Sequence, residues 1–555
     1  MPEVGPRRGP AVDERGRLAA SLAALAVLYV LLIGLGDARA WSGSDAGGKV
    51  ATIRYMAEHH TLVPEVGYWA SAQDPAGTFH PLVKTTLVGH RFIQVTTFPF
   101  VYIGLPLWRL WGAKGVLVLP VIGSLLAAVS ARRLARVLGA TKGWWAFWLV
   151  GAASPMLFYS ADFWEHSMGV GLALLAVSLA LEEGGPLKAA AAGLAAGTAG
   201  VLRADVLVYI AAAGVAILIV GRTRRWWFAH PARAVAITSG ALVPLVASRV
   251  AEHVLVASSG ARAGIAGRSV GAVSQAGSML PQRVRDGVLT TVGLFADDSS
   301  KYLVLGAVVL GAMVILVVNG RRAEDGVVTK AAFATVVAAY AARLAGGIGF
   351  VPGMFAAGPV SSVGVIEART PQARVVLITA LLAIPAVWYF QWQGELIPQW
   401  GGRYLLVSGA LLAVLGAVAI ERAGRLNAAT GVVVLAAVVI TGFGAVWHVQ
   451  RTRSVAHAVS RIEAVPADVV VVSELDHLGR EAGAWYGRHR WLTASSAAQL
   501  EAVGAILRAS QVTQVEVVGL ERSSAPAVIP GYGQVSVDHV DFLGFPLRLT
   551  MLNAR

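Results

Sequence analysis

Cysteine is absent from this 555-residue chain, and only 14% of its residues are charged. Without cysteine the chain has no disulfide bond, no thiolate metal site and no cysteine nucleophile. The sequence also lacks a Walker-type phosphate loop, a dinucleotide-binding fingerprint, an HExxH zinc motif and a lipase-like GxSxG pattern in a fitting structural context. These absences argue against cytosolic nucleotide chemistry and favour a substrate that arrives already activated.

Hydrophobic residues make up 56% of the sequence, and the mean hydropathy is +0.64. These values are not typical of a soluble protein. The net charge of +14 comes from Arg and Lys scattered between apolar runs, so it indicates membrane topology and anionic lipid contacts rather than nucleic acid. The runs, of roughly 16–20 residues, predict an all-α polytopic membrane protein with single spans.

The first apolar run covers 18–36, follows four arginines and precedes a small-x-small pattern at 38–40. That arrangement resembles a signal peptide with its cleavage site. The run is longer than the usual signal core of about 7–15 residues, and many further spans follow. We therefore expect an uncleaved first helix, with 1–17 as a cytoplasmic tail.

Thirteen spans are predicted within a membrane domain covering 18–447, and the N-terminus is predicted inside. All the connections then placed inside are basic, as the positive-inside rule requires. Segment 93–112 is interpreted as an amphipathic helix in the outer interface, because counting it as a span would reverse every later loop. Span 353–366, flanked by Pro352 and Pro359, is expected to be broken or re-entrant. The predicted spans are 18–36, 115–130, 144–160, 168–182, 187–202, 205–220, 234–250, 302–319, 327–345, 353–366, 375–390, 404–420 and 430–447.

Three large segments are predicted outside: the first outer loop 37–114, the middle outer loop 251–301 and the tail 448–555. The tail has the composition of a soluble domain. Within it, ADVVVVSEL predicts a buried strand, AAQLEAVGAILRAS an amphipathic helix and VTQVEVVGL a second strand. We therefore expect a small extracytoplasmic α/β domain at 448–555.

Asp45 lies in a Ser/Gly-rich stretch, WSGSDAGGKVATIRYMAEHH, directly after the first span. A carboxylate at the outer membrane surface is suited to act as general base on an acceptor hydroxyl. The alternative is that Asp45 only caps the helix that follows, a role for which Ser42 and Ser44 compete. The residues alone leave both roles open.

A second polar group lies in YSADFWEHSMGVG, a short outer turn between the third and fourth spans. Asp162, Glu165 and His166 supply two carboxylates and an imidazole, a set that can bind Mg²⁺ or Mn²⁺ or orient a hydroxyl. The alternative is an interfacial turn anchored by Trp164, with its charges solvated. A divalent cation is therefore a candidate cofactor.

Two arginines stand at predicted outer helix ends, where a guanidinium can bind a lipid phosphate through two hydrogen bonds. Arg203 interrupts a long apolar stretch beside Asp205, and Arg403 precedes Tyr404 at the start of the twelfth span. The alternatives are an Arg203–Asp205 ion pair at a helix break and snorkelling of Arg403 to the interface. The first outer loop adds further basic or titratable groups: His80, Lys84, His90 and Arg91.

The order of these features resembles the GT-C superfamily of integral membrane glycosyltransferases, which includes protein O-mannosyltransferases and lipid A aminoarabinose transferases. The likeness covers 18–450. The chain departs from the family pattern by having Ala46 after Asp45 instead of a second acidic residue, and Phe98-Pro99 instead of Tyr-Pro-Pro. The places that carry the likeness are Asp45 with RYMAEHH, FPFVYIGLPLWRLWG before LAAVSARRLARVLGA, SPMLFYSADFWEHS, GLAAGTAGVLRADVL and QWGGRYLL.

The resemblance implies an inverting glycosyltransferase that takes a sugar from a polyprenyl phosphate in the outer leaflet. The acceptor would be a glycan, a lipid or a protein. By the family pattern Asp45 is the catalytic base or orients the acceptor, and Asp162 and Glu165 are further acidic groups, with His166 if a metal is bound. The basic residues that bind the donor phosphate in that family point here to Arg203 and Arg403. Lys84, Tyr404 and His166 are further candidates for substrate and donor-phosphate binding.

Two other classes of protein are alternatives. A transporter or flippase of lipid-linked sugars also has many helices, but it is expected to show paired repeats and charges near the membrane midplane. A non-enzymatic receptor or assembly scaffold would use the 448–555 domain. Asp45 and Glu165 in one shared pocket would favour the enzyme, whereas their opening onto opposite sides of the membrane would exclude it.

Overall fold

The structure is a computed structural model that describes most of the chain. Side chains are described over most, but not all, of these positions. The described ranges are 11–41, 43–82, 85–94, 98–221, 231–256, 326–345, 369–390, 403–424, 428–475, 478–483, 489–522, 528–542 and 544–555, with isolated positions between 280 and 319.

Helices dominate the chain up to residue 462. The first outer loop adds a short antiparallel hairpin, formed by β1 (Thr85–Val88) and β2 (Arg91–Gln94). The helices are α1 Ala11–Leu35, α2 Ser44–Glu58, α3 Phe98–Val116, α4 Val118–Val137, α5 Trp144–Gly151, α6 Pro155–Tyr159, α7 His166–Leu181, α8 Pro186–Leu202, α9 Val206–Gly221, α10 Pro231–Val256, α11 Val327–Ala345, α12 Pro371–Phe390, α13 Leu406–Arg422 and α14 Ala428–Ile462.

Five helices in the described part of the chain are long and apolar enough to cross a membrane. Shorter apolar helices, among them α7, α8 and α9, pack beside them. The prediction of a mostly helical membrane protein with a C-terminal sheet region is confirmed at this level, while the count of thirteen spans stays a prediction. The five are Glu14–Leu35, Val118–Val137, Pro231–Leu255, Pro371–Tyr389 and Thr430–Ile462.

Several predicted boundaries are wrong. The predicted span 144–160 is two short helices, α5 and α6, because Ser154 caps a new helix through the Met156 amide and Pro155 takes its first position. The last span continues past 447 to Ile462. Helix α4 runs to Val137 rather than 130. The predicted helix 93–112 begins only at Phe98, since 93–94 belong to β2.

Two further predictions concern segments that are described only in part or not at all. Span 353–366 lies outside the described residues, as does most of the middle outer loop 251–301. Only isolated positions of span 302–319 are described. These predictions are neither confirmed nor contradicted.

The C-terminal region forms a five-stranded mixed sheet in the order β4-β3-β5-β7-β6. Strand β3 pairs in parallel with β4 and β5, and β7 pairs antiparallel with β5 and β6. The two strands and the helix predicted from sequence are present as β3, β5 and α16. The elements are β3 Val469–Ser473, α15 Leu478–Glu481, β4 Arg490–Ala494, α16 Ala497–Ala509, β5 Gln514–Leu520, β6 Tyr532–Phe542 and β7 Phe545–Ala554.

Strand β3 of this sheet is covered on both faces. On one face, Val469 and Val471 of β3 share a core with α16 and with first-loop residues such as Phe79. On the other face, Val470 and Val472 pack against the end of α14. The alternation of β3 side chains between two apolar layers explains the unbroken valine run. The first outer loop and the C-terminal sheet therefore share one hydrophobic core.

Candidate active site

Helix α2 carries Asp45 in its first turn and presents it to two arginines from distant parts of the chain. Arg403 Nη2 lies 2.6 Å from Asp45 Oδ2, and Arg480 Nη2 pairs with Asp45 Oδ1. The Asp45 side chain is 22% exposed, whereas that of Arg480 is fully buried. A carboxylate near the positive end of a helix is favoured electrostatically, and each arginine adds a charge-assisted hydrogen bond.

Glu165 lies at the end of the turn before α7 and forms a buried ion pair with Lys49 of α2. Arg203 Nη1 is 3.9 Å from the second Glu165 oxygen. Burial alone would raise the pKa of Glu165, but the charges of Lys49 and Arg203 hold that pKa below its usual value. Glu165 is therefore an anion with its charge balanced inside the protein.

His166, the first residue of α7, joins the two arginines predicted from sequence. Arg403 Nε donates to His166 Nε2 at 3.1 Å, and Arg203 Nη1 contacts the same nitrogen. Because guanidinium groups only donate, this nitrogen is the acceptor, which places the ring proton of a neutral imidazole on Nδ1. The ring is stacked between Tyr159 and Trp164, with centroids 4.9 Å and 4.7 Å away.

Arg203 and Arg403 also both lie close to the ring of Tyr404. Their guanidinium carbons lie 5.2 Å and 5.0 Å from its centroid, within the range of a cation–π contact. Arg203 Nη2 is 2.6 Å from Asp205 Oδ1. The Arg203–Asp205 ion pair considered from the sequence is thus present, and it joins a larger cluster rather than marking only a helix break.

The C-terminal region reaches the site through α15 and the residues that follow it. A side chain on Gly47 would place its Cβ 1.6 Å from the Arg480 carbonyl oxygen, and one on Gly483 would lie 2.2 Å from the Gly47 oxygen. The backbones of α2 and 479–483 are therefore in direct contact, which only glycine permits. This contact brings the Arg480 guanidinium to Asp45.

Glu481, next to Arg480, links α15 to the long helix α14 through an ion pair. Its carboxylate lies 2.7 Å from Arg451 Nη2. Burial raises the pKa of Glu481, and the nearby Arg451 and Arg480 oppose that rise. The segment that carries Arg480 is thus fixed from two sides, by the glycine contact with α2 and by this ion pair.

An apolar cavity of about 390 Å³ lies beside the charged cluster, among α7, α8, α9, α10, α12 and α13. Its lining includes Ala173, Ile210, Leu411 and the Tyr209 ring. The Tyr209 hydroxyl donates to the Tyr404 carbonyl oxygen at 2.9 Å, so the cavity and the cluster share a wall. An apolar cavity next to a few convergent polar groups is the usual form of a ligand site.

The structure brings most of the sequence-predicted site residues together. Asp162 is fully buried on the turn that carries Glu165. Lys84 lies outside the described residues. His80 points inward, where its Nε2 is 3.0 Å from the Gly67 carbonyl oxygen and burial lowers its pKa to about 4. The residues brought into one cluster are Asp45, Glu165, His166, Arg203, Arg403 and Tyr404.

The metal site predicted from Asp162, Glu165 and His166 is not supported. Within the described part of the chain, no group of three His, Asp or Glu side chains is arranged to hold a metal ion. The physical reason is that Lys49 and Arg203 face the Glu165 carboxylate, while both arginines face His166 Nε2. These donors take the lone pairs that a cation would need.

Two members of the cluster were missed from the sequence. Lys49 could have been found, because it lies four residues after Asp45 and so on the same face of α2. Arg480 had no such signal, since 435 residues separate it from Asp45. Its position follows only from how the C-terminal sheet packs on the first outer loop.

No protein-family model matches the sequence, and no curated protein sequence matches it. Among solved structures, the chain is similar to ArnT from Cupriavidus metallidurans bound to undecaprenyl phosphate, with 12% identity, a TM-score of 0.47, and 96% of this chain and 98% of that chain covered. The apo state of the same protein gives 15% identity and a TM-score of 0.40, covering 97% and 98% of the two chains.

The chain is also similar to the archaeal oligosaccharyltransferase AglB from Archaeoglobus fulgidus in complex with an inhibitory peptide and a dolichol-phosphate. That alignment has 12% identity and a TM-score of 0.44, and it covers 91% of this chain and 70% of that chain. The TM-scores of these three alignments are all below 0.5, so the functional proposal depends on the site residues and not on the alignments.

Proposed function

We propose that this protein is a glycosyltransferase that moves a sugar from a polyprenyl-phosphate donor to an acceptor, with inversion at the anomeric carbon. The observation that carries the proposal is one cluster, supplied by five segments of the chain, in which Asp45 meets Arg403 and Arg480 beside an apolar cavity. A catalytic carboxylate, phosphate-binding cations and an apolar cavity are the three elements that transfer from a lipid phosphate requires.

In this mechanism Asp45 is the general base. It accepts the proton of the acceptor hydroxyl as the acceptor oxygen forms a bond to the anomeric carbon. The bond from that carbon to the phosphate oxygen breaks, and its electron pair leaves with the polyprenyl phosphate. Phosphate is a good leaving group, so alignment of the reactants and stabilisation of charge account for most of the catalysis.

Arg403 and Arg203 are the proposed ligands of the donor phosphate. Both contact the ring of Tyr404, whose carbonyl oxygen accepts from the cavity-lining Tyr209, so a phosphate held by these arginines could direct its isoprenoid chain among the apolar helices. Both guanidinium groups contact the Tyr404 ring and the His166 Nε2 atom, so Tyr404 and His166 hold them close to each other. Glu165 and Lys49 form the buried base of this site. No step is assigned to a metal ion, because Lys49 and Arg203 face the Glu165 carboxylate where a cation would bind.

The proposed topology places this chemistry on the extracytoplasmic face of a cell membrane. The N-terminus, with the basic tail 1–17, is proposed to be cytoplasmic, and residues 448–555 are proposed to form the extracytoplasmic α/β domain. The asymmetry of basic residues between the connections supports this orientation. The first outer loop 37–114 and the C-terminal sheet share one core, so both must lie on the same side as Asp45.

Asp45→Asn tests the proposed function, with Asp37→Asn as its matched control. Asp37 begins the same loop and also pairs with an arginine, Arg39, at 2.8 Å, but it lies outside the cluster. In membranes supplied with a panel of polyprenyl-phosphate sugars, the wild type and Asp37→Asn are expected to transfer sugar, whereas Asp45→Asn is expected to lose at least about a hundredfold in rate. Comparable turnover by Asp45→Asn would refute the base assignment.

A further inference from the structure

Arg480 is a fully buried guanidinium with unused hydrogen-bonding capacity. Its Nη2 pairs with Asp45, while its Nε and Nη1 are buried and have no hydrogen-bond partner among the residues that the structure describes. Buried donors are nearly always paired, and a charged group without its full set of partners is destabilising. A ligand that supplies acceptors at this position would complete the set of hydrogen bonds.

The geometry around Asp45 is that of an anion site occupied by a side chain. Arg403 and Arg480 come from different segments of the chain and pair with its two carboxylate oxygens, one on each oxygen. Carboxylate and phosphate groups present similar oxygen pairs to a guanidinium. A phosphate, however, offers further oxygens, and these could satisfy the remaining Arg480 donors that Asp45 leaves without partners.

We propose that the Asp45 carboxylate occupies the donor-phosphate site between Arg403 and Arg480 as a placeholder until the donor binds. We propose also that Arg480 of the C-terminal domain is a further phosphate-binding residue. When the donor binds, its phosphate takes over the two guanidinium groups and releases the Asp45 carboxylate. This inference rests on the proposed function, in which Asp45 is the base.

The exchange has a chemical consequence for Asp45. A carboxylate held by two cations is a poor base, because both contacts favour its ionised form. Once the phosphate has taken its place, the carboxylate loses those contacts and gains basicity beside the acceptor. Donor binding would thus activate the base, and an acceptor alone would meet an inactive site.

The test measures binding of undecaprenyl monophosphate to the purified full-length protein in lipid nanodiscs, with undecaprenol as the control lipid lacking phosphate. Asp45→Asn removes the competing charge, so it is expected to bind the phosphate lipid about tenfold more tightly than the wild type. Undecaprenol binding is expected to stay unchanged. Equal or weaker phosphate-lipid binding by Asp45→Asn would overturn the placeholder role.

A double-variant comparison separates ligand contact from support of Asp45. If Arg480 binds phosphate, Arg480→Gln in the Asp45→Asn background abolishes the gain in affinity, and Arg480→Lys retains part of it. If Arg480 only holds Asp45, neither change has an effect in that background, which would overturn its assignment as a ligand. The matched control is Arg461→Gln, an exposed arginine of α14 paired with Asp538 on β6, and it is expected to leave binding unchanged.

Failure of this inference is distinguishable from failure of the proposed function. Loss of transfer by Asp45→Asn without any gain in phosphate-lipid affinity would leave the base role standing and remove the placeholder. Retained transfer by Asp45→Asn would refute the base role itself. Size-exclusion profiles of all variants identify any that fail to fold, and Arg480→Lys, which keeps the charge, then provides the comparison for Arg480→Gln.

Discussion

Replacement of Lys49 by methionine is expected to destabilise the protein by a large and calculable amount. The Lys49 and Glu165 side chains are only 3% and 7% exposed, so their ion pair is buried. Removing one partner of such a pair typically costs about 3–5 kcal/mol, since the other charge stays in the interior. Arg203, 3.9 Å from Glu165, compensates in part. We therefore expect the lower end, about 3 kcal/mol, or roughly a hundredfold in the folding equilibrium.

The assay is chemical unfolding of the purified protein in detergent, with the free energy of unfolding compared between variants. Adding Glu165→Gln to Lys49→Met removes the stranded charge, and the double variant is expected to recover at least half of the loss. Arg461→Met, which breaks an exposed ion pair, is the control and is expected to unfold like the wild type. A Lys49→Met variant as stable as the control would refute the reasoning, and so would a double variant no better than the single one.

The same ion pair predicts a pH dependence of known sign. The pKa of Glu165 is lower in the folded state than its ordinary value of 4.5. A carboxylate with a lowered pKa contributes stability above its unfolded pKa, and that contribution is lost as the pH falls through the folded value. The difference in stability between the wild type and Lys49→Met should therefore be full at pH 7 and shrink below about pH 4.5.

Three further changes test other parts of the structure. Burial, with Glu463 and Asp538 nearby, raises the pKa of Glu516 to about 8, so Glu516→Gln should stabilise the protein most above pH 8. The melting temperatures of the variant and the wild type should converge near pH 4.5. A difference that stays constant with pH would contradict this. Gly47→Ala should lower activity and stability by separating α2 from 479–483, while Gly442→Ala, which has open space around it, should not. Ala213→Trp, at the apolar cavity, should weaken undecaprenyl phosphate binding about tenfold, and Ala211→Trp, an exposed position that is not part of the cavity lining, should have no effect.

Sequence periodicity predicted the helices well wherever a long apolar run met a polar boundary. Predicted helices 187–202 and 205–220 match α8 and α9 within a residue or two. The break between α5 and α6 was missed because the run is apolar throughout, and only the Ser154 cap interrupts it. Strands β6 and β7 were missed because they form a hairpin with a largely exposed outer strand, whose alternation carries little hydrophobic signal.

The residues of the candidate site also differ in whether the sequence alone could predict them. Charged residues at the ends of apolar runs are conspicuous in a sequence this poor in charge, so Asp45, Glu165, Arg203 and Arg403 could be selected by composition and resemblance. Their partners could not all be found, because an ion pair inside a folded protein depends on packing rather than on spacing. Only Lys49, one helical turn from Asp45, had a local signature.

Through Arg480 the C-terminal domain contacts the candidate site directly. A domain that only selects an acceptor would pack at the edge of the membrane domain and make no contact with the Asp45 carboxylate. Here the domain shares its core with the first outer loop, contacts α2 backbone to backbone at Gly47, and supplies one of the two guanidinium groups on Asp45. Any displacement of the sheet relative to α2 would separate Arg480 from Asp45. We therefore expect changes in the sheet interface to alter donor binding as well as acceptor choice.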